Sequence, residues 1–340
     1  AEDAASVLPP GKTKIARLNA YKDASEALQA NDSEAIRRAI WDAKPYQPDG
    51  IVDGASLLEL VTTPEPPCAH DYPFEGLQRK TNGIRYGELT TLTAGSGIGK
   101  SSFCRQLATH LLEKGEKVGY LALEESNRRT ALGLMSTAVG EPLHLGGYDH
   151  TKLKEYFSNT ISNWNLYLYD GFGSFDPDVI YNRIEYLASG LECRLIFLDH
   201  LSILLSGLEG DERRMLDITM TRLRSLVERT GIHLFLVSHL RRTQQDKNHE
   251  EGARVTLGQL RGSAAISQLS DTVLALERNQ QSDKDGGVTT LRVLKNRYSG
   301  ETGIATTLNY DLSNCRFSEN DAEEPSFLRG ASQTAETTDF

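Results

Sequence analysis

The sequence predicts an α/β fold: a mainly parallel sheet with helices on both faces and an antiparallel extension at its C-terminal end. Short runs such as 194-RLIFLD-199 and 233-HLFLVS-238 are apolar on both faces, as strands buried between two helical layers must be. Amphipathic helical patterns alternate with these runs, which is typical of an α/β class with right-handed crossovers. The last predicted strands follow one another without helices, which favours antiparallel pairing there.

Apolar periodicity predicts the order of elements along the chain. Residues 1–70 hold seven of the eleven prolines and two short helical patterns, at 24–28 and 34–41, so they are predicted to form a linker with small helices. A folded domain is predicted over 71–318, with strands at 88–93, 117–123, 166–169, 195–198, 233–237, 271–276, 290–294 and 302–308. Its predicted helices span 100–114, 126–139, 152–158, 177–189, 211–229 and 256–268. Residues 319–340, with six acids and one arginine, are predicted to be a disordered tail.

Composition excludes several classes of protein. The chain has 37 Lys and Arg against 47 Asp and Glu, a formal net charge of −10. This net charge excludes a protein that coats nucleic acid with a generally basic surface. It does not exclude a channel that is basic locally. No run approaches 18 apolar residues, so no membrane-spanning helix is predicted. The four cysteines form no CxxC pair and are predicted to be reduced thiols of a cytosolic protein.

The strongest motif is 93-TAGSGIGKSS-102, between a predicted strand and a predicted helix. Its glycines allow the backbone N–H groups to wrap a polyphosphate at a helix N-terminus. Lys100 is predicted to neutralise the β- and γ-phosphates and Ser101 to bind Mg²⁺. Only Ala94 departs from the pattern G-x-x-x-x-G-K-[ST], and a small residue fits there. The predicted nucleotide-binding loop comprises Ala94, Gly95, Ser96, Gly97, Ile98, Gly99, Lys100, Ser101 and Ser102.

Polar side chains follow three of the predicted strands directly. Glu124, the first residue after one strand, is predicted to orient and deprotonate a water for attack on a γ-phosphate. Glu125 is better interpreted as a helix N-terminal acid, an alternative that also applies to Glu124. Asp199 is predicted to bind Mg²⁺ through water, with a helix cap as the alternative. His239 is predicted to contact the γ-phosphate, with a structural histidine as the alternative.

Two basic segments lie later in the chain. A long polar loop starts directly after His239, and its position allows it to respond to the nucleotide and to grip a backbone; a solvated surface loop is the alternative. The residues predicted to contact nucleic acid are Arg241, Arg242, Lys247, Arg261, Gly262 and Ser263. Lys295 and Arg297 lie on a turn near the C-terminal end of the predicted domain. An arginine on such a turn is usually only solvated, although in ring ATPases it can reach a neighbour's γ-phosphate.

Seven motifs together resemble the helicase half of the bifunctional primase-helicases of short-tailed lytic phages, relatives of Twinkle and DnaB. They are GSGIGKS, LEES, FLDH, VSHL, HEEGARVTLGQLRGSAAISQLSD, ALERNQQ and KNRYSGETGIA. The resemblance covers about residues 46–317 and implies a RecA-like phosphate-loop NTPase core. It implies a hexameric or heptameric ring around single-stranded DNA that hydrolyses NTP (ATP, dTTP or dATP) with Mg²⁺ at subunit interfaces. It also implies 5′–3′ translocation and strand separation at the phage replication fork.

The resemblance assigns roles residue by residue. It implies phosphate and metal contacts for Lys100, Ser101 and Asp199, and the catalytic base for Glu124. It makes His239 the γ-phosphate sensor, with Gln268 near it. The remaining implied roles are a finger donated in trans by Arg297 with Lys295 beside it, and a base sandwiched between Arg278 and Tyr310. Relatives place a further phosphate-facing arginine where this chain has no Arg or Lys between 129 and 152, which puts a second trans contact in doubt.

The resemblance also implies partners. The segment 22-KDASEAL-28 is similar to the end of the family's primase fold, so a primase domain in cis is expected in the full-length protein. The acidic tail ending in Phe340 is similar to the tail that contacts the phage DNA polymerase, with a merely solubilising tail as the alternative. A helix near 32–41, or just before it, is expected to pack on the next subunit. The expected location is the cytoplasm of the infected bacterium. The alternatives are another RecA-like ATPase (recombinase or clock-type), a small-molecule kinase or a loading scaffold without catalysis.

Overall fold

A computed structural model describes residues 2–9, 12–46, 52–64, 68–171, 176–206, 212–241, 248–260, 264–281 and 287–320. The chain divides into two compact units, Ala1–Pro66 and Pro67–Phe340. Several predictions concern residues outside the described ranges: the tail from residue 321 onward, and the loop residues Arg242, Lys247, Arg261, Gly262 and Ser263.

The first unit consists of short elements. In chain order they are α1 (Glu2–Ser6), β1 (Lys14–Ile15), α2 (Ala24–Gln29), α3 (Ser33–Trp41), β2 (Lys44–Pro45) and α4 (Leu58–Thr62), with a 3₁₀ turn at Gly54–Leu57. The two helices predicted here, α2 and α3, are confirmed. Each begins at an aspartate whose carboxylate accepts a backbone N–H of the first turn, Asp23 from Glu26 and Asp32 from Ala35.

The second unit is built on a nine-stranded sheet. Its described strands are β3 (Leu89–Ala94), β4 (Val118–Ala122), β5 (Leu166–Leu168), β6 (Leu195–Asp199), β7 (His233–His239), β8 (Thr272–Glu277), β9 (Val288–Asn296), β10 (Gly303–Asp311) and β11 (Arg316–Asn320). They pair in the order β11-β10-β9-β8-β3-β7-β6-β4-β5. The six strands from β8 to β5 are parallel, and β9, β10 and β11 are antiparallel additions, as predicted.

Helices cover both faces of this sheet. They are α5 (Glu75–Thr81), α6 (Lys100–Glu113), α7 (Asn127–Val139), α8 (His150–Asn159), α9 (Pro177–Glu185), α10 (Leu201–Ser206), α11 (Glu212–Thr230) and α12 (Ala264–Leu269). Two large buried apolar clusters result, one containing Leu107 of α6 and the other Leu223 of α11, and a small third one contains Met135 of α7. Among the helices that the structure describes, none combines the length and apolar character needed to cross a bilayer.

Stacked aromatic rings join three neighbouring parallel strands. Tyr120 of β4 lies 5.4 Å from Phe197 of β6, and Phe197 lies 4.5 Å from Phe235 of β7, measured between ring centroids. All three rings are almost completely buried. Such stacking adds about 0.5–1.5 kcal/mol per pair beyond the area buried. It therefore fixes the relative positions of the strands whose ends carry Glu124, Asp199 and His239.

One predicted helix is wrong. Residues 256–268 form no continuous helix: a 3₁₀ turn spans Leu257–Gln259, and α12 begins only at Ala264. Thr256 and Gln259 close the short turn as a capping box. Leu260 then leaves the helical region, with ψ of 131°, and pairs with Leu240 just after β7. This tertiary pairing overrides a helical periodicity that Gly258 already weakens.

The predicted start of the tail falls inside a strand. β11 was not predicted, because Phe317 is its only apolar residue, yet it pairs with β10 through Asn320. The Glu319 carboxylate accepts hydrogen bonds from the backbone N–H groups of Glu75 (2.6 Å) and Gly76 (2.8 Å), in the first turn of α5. Glu319 therefore belongs to the folded unit, where it caps a helix 244 residues away in sequence.

Replacing Glu319 with alanine is expected to lower the free energy of unfolding by about 1–2 kcal/mol, the usual cost of losing an N-terminal cap. Thermal unfolding of the two proteins measures this. Glu301→Ala removes the same charge from an exposed position and is the matched control. Equal melting temperatures for Glu319→Ala and Glu301→Ala would contradict the capping role.

Candidate functional site

The phosphate loop lies between β3 and α6, as predicted. Gly97 and Gly99 adopt positive φ values of 70° and 110°, which turn the loop back on itself in a conformation that favours glycine. The Lys100 ammonium, whose residue is 9% exposed, donates to the carbonyl oxygens of Ala94 (3.1 Å) and Gly95 (2.9 Å). Burial lowers the pKa of Lys100, and nearby carboxylates oppose this shift. The amine is thus held at the centre of the loop.

Two oxygen ligands meet beside Lys100. The Ser101 hydroxyl donates to Oδ2 of Asp199 over 2.8 Å. Asp199 is buried at the end of β6, and burial raises the pKa of its carboxyl group, opposed by the Ser101 hydrogen bond. A buried carboxylate next to a hydroxyl offers the hard oxygen ligands that Mg²⁺ prefers, and a cation would offset the cost of burying that charge. The residues present therefore fit Mg²⁺.

Glu124, His200 and His239 form a cluster across the ends of β4, β6 and β7. One carboxylate or imidazole atom from each lies within 4.8 Å of the others. His200 Nε2 contacts Oε1 of Glu124, and the His200 ring meets the His239 ring edge-on with centroids 4.1 Å apart. The Glu124 side chain is 56% exposed and thus accessible to water. Sequence reasoning assigned no role to His200, although it directly follows Asp199 at a strand end.

Glu125 points away from this cluster. Both of its carboxylate oxygens accept from Nη2 of Arg105 on α6, at 2.7 and 2.6 Å, and one also accepts from the Thr130 hydroxyl. Gly133 makes room for the arginine, since a Cβ at that position would lie 2.6 Å from Arg105 Nε. The pair ties the phosphate-loop helix to the end of β4. The interpretation of Glu125 as a helix N-terminal acid stays a prediction, because the N-cap of α7 is Ser126 and Glu125 forms this ion pair instead.

Arg278 and Tyr310 both lie at the phosphate-loop edge of the sheet. Arg278 directly follows β8, the neighbour of β3, and Tyr310 stands one residue before the end of β10. Tyr310 packs against Phe317, with ring centroids 4.8 Å apart. Burial raises the pKa of Tyr310, and its hydrogen bond with the Ser102 hydroxyl on α6 opposes this shift. This places an aromatic ring and a guanidinium at the same edge of the sheet as the phosphate loop.

Arg297 lies at the opposite edge. Its guanidinium donates to Oδ1 of Asp271 (2.9 Å), just before β8, and to the carbonyl oxygen of Gln268 (3.1 Å). Asp271 in turn accepts from the backbone N–H of Leu89, the first residue of β3. The six residues of β3 separate this point from the phosphate loop by about 20 Å. The Arg297 side chain is 52% exposed and faces away from the chain's own loop.

Two neighbours of Arg297 differ from expectation. Gln268 was expected near His239, but the structure places it at the Arg297 edge, so this expectation is wrong within one chain. Gln268 lies at the end of α12, which leads into the amino end of β8, whereas His239 ends β7 at the opposite, carboxyl edge of the sheet. Lys295 does lie beside Arg297, and its ammonium donates to the carbonyl oxygens of Ser267, Gln268 and Ser270 at the end of α12. Lys295 therefore caps the C-terminal end of α12.

The segment after the polar loop folds over the phosphate loop, which sequence reasoning missed. Oε1 of Glu250 accepts from the Ser96 N–H over 3.2 Å, and Gln280 Nε2 donates to the Ser96 carbonyl oxygen over 3.1 Å. Glu250 and Gln280 are themselves joined through their backbones. Buried His249 lies against Gly95, and neither of its ring nitrogens has a hydrogen-bond partner among the described residues. The HEEG and NQQ motifs carry these contacts.

Of the six predicted DNA contacts, Arg241 is among the described residues. Arg241 is exposed, and its backbone N–H donates to the Gln259 carbonyl oxygen over 2.8 Å, which anchors the start of the loop. The other five predicted residues are outside the described ranges. Arg241 stands two residues after His239, a member of the cluster of Glu124, His200 and His239.

A phosphate loop at the carboxyl edge of a mainly parallel sheet, with acids at the ends of two neighbouring strands, defines a phosphate-loop NTP-binding protein. Similarity to known proteins identifies one family within that class. Residues 71–319 match the family described as "DnaB-like helicase C terminal domain". The chain belongs to this family.

Individual relatives agree with the family assignment. The chain is 38% identical over 324 residues to the DNA helicase/primase of Enterobacteria phage T3, an alignment that covers 91% of this chain and 56% of that protein. It is also 26% identical over 252 residues to a probable plasmid replicative DNA helicase of Chlamydia muridarum, an alignment that covers 72% of this chain and 53% of that protein. The chain thus spans about half the length of the relatives it matches.

Two solved structures share the fold. One is described as an ATPase domain, with a TM-score of 0.66 and 20% identity over 81% of this chain and all of that one. The other is a DnaB-like replicative helicase described together with its interactions with primase, with a TM-score of 0.64 and 17% identity over 86% and 73% of the two chains. These similarities establish the RecA-like fold.

Proposed function

We propose that this chain is the motor of a replicative ring helicase. It couples NTP hydrolysis at subunit interfaces to 5′–3′ translocation on single-stranded DNA and to strand separation at a phage replication fork. Hexameric or heptameric assembly brings the two edges of neighbouring sheets together.

The observation that carries this proposal is the separation of Arg297 from the phosphate loop. The two lie at opposite edges of one sheet, about 20 Å apart along β3. A single chain therefore cannot bring this arginine to its own γ-phosphate. Stacking one chain's Arg297 edge on the next chain's phosphate-loop edge completes the site, which is the arrangement that a ring repeats. The same stacking places Gln268, which lies beside Arg297, near the neighbour's nucleotide.

The residues at the phosphate-loop edge have distinct roles in the proposed hydrolysis. Backbone N–H groups of the loop and the Lys100 ammonium bind the phosphates. Mg²⁺, held by Ser101 and through water by Asp199, supplies charge neutralisation when bound. Glu124 orients the attacking water and accepts its proton, and His239 contacts the γ-phosphate. Arg278 and Tyr310 stack on the base by cation–π and aromatic contacts that every base offers, so ATP, dTTP and dATP all fit.

DNA binding is proposed to use the loops that follow β7 and precede α12. Arg241, Arg242, Lys247, Arg261, Gly262 and Ser263 supply the phosphate contacts. Summed over the subunits of a ring, a few contacts per chain hold the strand firmly despite the net charge of −10. Phosphate contacts carry no sequence information, so binding is sequence-independent and salt-dependent.

Directional unwinding tests this proposal. A fork with a free 5′ tail on the encircled strand is expected to be unwound in the presence of NTP and Mg²⁺, whereas a duplex with only a 3′ tail is not. Glu124→Gln, which is expected not to hydrolyse NTP, is the control: it should not unwind the fork. Unwinding that requires the 3′ tail would reverse the proposed polarity, and hydrolysis without any unwinding would favour another RecA-like ATPase.

Two partners belong to the proposal: a primase domain in cis in the full-length protein, and the phage DNA polymerase, reached through the acidic tail that ends in Phe340. The proposed location is the cytoplasm of the infected bacterium. Because Glu319 and Asn320 lie in β11, a clean test removes residues 321–340 only.

Deleting 321–340 is expected to leave DNA-stimulated hydrolysis within about twofold, since β11 and the helix cap stay intact. It is expected to weaken strand-displacement synthesis by the phage polymerase. Rates of leading-strand synthesis on a forked template, with the full chain and the truncated one, measure this coupling. Equal synthesis with both chains would reject the polymerase-binding role of the tail.

A further inference from the structure

His200 joins two groups that the proposed hydrolysis uses. It directly follows Asp199 at the end of β6, and its side chain is 5% exposed. On one side Nε2 contacts the Glu124 carboxylate at the end of β4, and on the other the ring packs edge-on against His239 at the end of β7. The buried imidazole therefore lies between the proposed base and the proposed γ-phosphate sensor.

The hydrogen bonds of His200 define its tautomer. The backbone N–H of Ser202 donates to Nδ1 over 3.2 Å, so Nδ1 carries a lone pair. In the neutral ring the proton is then on Nε2, the nitrogen that faces Oε1 of Glu124. His200 consequently donates a hydrogen bond to the carboxylate. Such a bond fixes the direction of the carboxylate and leaves its second oxygen for water.

The contact with His239 adds a mechanical link. The two rings are nearly perpendicular, with an interplanar angle of 81° and a centroid separation of 4.1 Å, so they are in van der Waals contact. His239 is followed by Leu240, which pairs with Leu260, and by Arg241, at the start of the proposed DNA-binding loop. His239 is thereby connected both to Leu240 and Arg241 and, through His200, to the Glu124 carboxylate.

We propose that His200 is a positioning residue: it holds the Glu124 carboxylate toward the attacking water and couples that orientation to His239 and the DNA loop. This inference rests on the proposed function and deepens it. It requires no titration of His200, because the backbone N–H of Ser202 selects the tautomer. DNA-stimulated turnover, more than nucleotide binding, depends on the contact.

Two substitutions test the inference. His200→Phe keeps an aromatic ring against His239 but removes the donor to Glu124, whereas His200→Asn retains an amide donor. For His200→Phe, DNA-stimulated kcat for NTP hydrolysis is expected to fall about tenfold or more, with KM and the affinity for a non-hydrolysable NTP with Mg²⁺ within about twofold. His200→Asn is expected to recover part of kcat. His150→Phe, at an exposed histidine, is the matched control.

A double-mutant cycle separates positioning from a general structural role. If His200 acts through Glu124, His200→Phe should cause no further loss in a Glu124→Gln background. Additive losses, or a His200→Phe kcat within twofold of the unchanged chain, would overturn the inference. So would a parallel loss of NTP affinity, which would assign His200 to Asp199 and metal binding. Should His200→Phe fail to fold, His200→Asn carries the same cycle. Absence of DNA stimulation in the unchanged chain would instead reject the proposed function.

Discussion

Lys100→Ala is expected to abolish NTP hydrolysis, with kcat reduced at least about 100-fold both with and without DNA. The ammonium is buried in the phosphate loop, where it donates to two loop carbonyl oxygens and can reach the incoming phosphates. Initial rates of phosphate release with long single-stranded DNA measure the effect.

Lys114→Ala is the matched control, since this partly exposed lysine at the end of α6 pairs with Asp71 on the surface. It should hydrolyse NTP at nearly the normal rate. DNA-stimulated turnover that survives in Lys100→Ala would contradict the assignment of the phosphate loop.

Arg297→Ala is expected to eliminate turnover by a factor of about 10³ or more, with NTP binding largely unchanged. The arginine lies at the edge remote from its own phosphate loop, so its loss removes a charge from the neighbour's site. Asp271 keeps Arg224 as a partner at 2.8 Å, which limits the effect on folding. Steady-state hydrolysis and equilibrium binding of a fluorescent NTP analogue measure the two quantities. Arg229→Ala, an exposed arginine paired with Glu185, is the control.

Mixing two inactive chains tests the trans geometry directly. Arg297→Ala supplies an intact phosphate loop and base, and Glu124→Gln supplies an intact Arg297. Mixed rings then contain interfaces with both groups, so hydrolysis should reappear and peak near equal proportions. Failure of every mixture to hydrolyse NTP, while mixed rings demonstrably form, would contradict donation in trans.

The parts of the site that are local in sequence could be predicted without the structure. The loop 94–102, Glu124, Asp199 and His239 each follow a strand whose apolar run is unmistakable, and parallel strands bring their carboxyl ends to one edge. Arg297 follows an antiparallel strand, whose end lies at the opposite edge of the sheet from the ends of the parallel strands.

Contacts between distant segments could not be predicted. His200 gains its role from Glu124, 76 residues away, and Glu319 from α5, 244 residues away. Gln268 was expected near His239 from the resemblance alone, and its place beside Arg297 depends on how α12 leads into β8 in the folded sheet. Glu250 contacts Ser96 across 154 residues. In each case the partner, and not the local pattern, determines what the side chain does.

The most direct measurement is NTP hydrolysis with and without long single-stranded DNA, at two protein concentrations and with each common nucleotide. Sites shared between subunits predict strong stimulation by DNA and a specific activity that rises steeply with protein concentration. Hydrolysis that is indifferent to DNA and proportional to protein concentration would show a self-contained site, and would contradict a ring motor completed by Arg297 of the neighbouring chain.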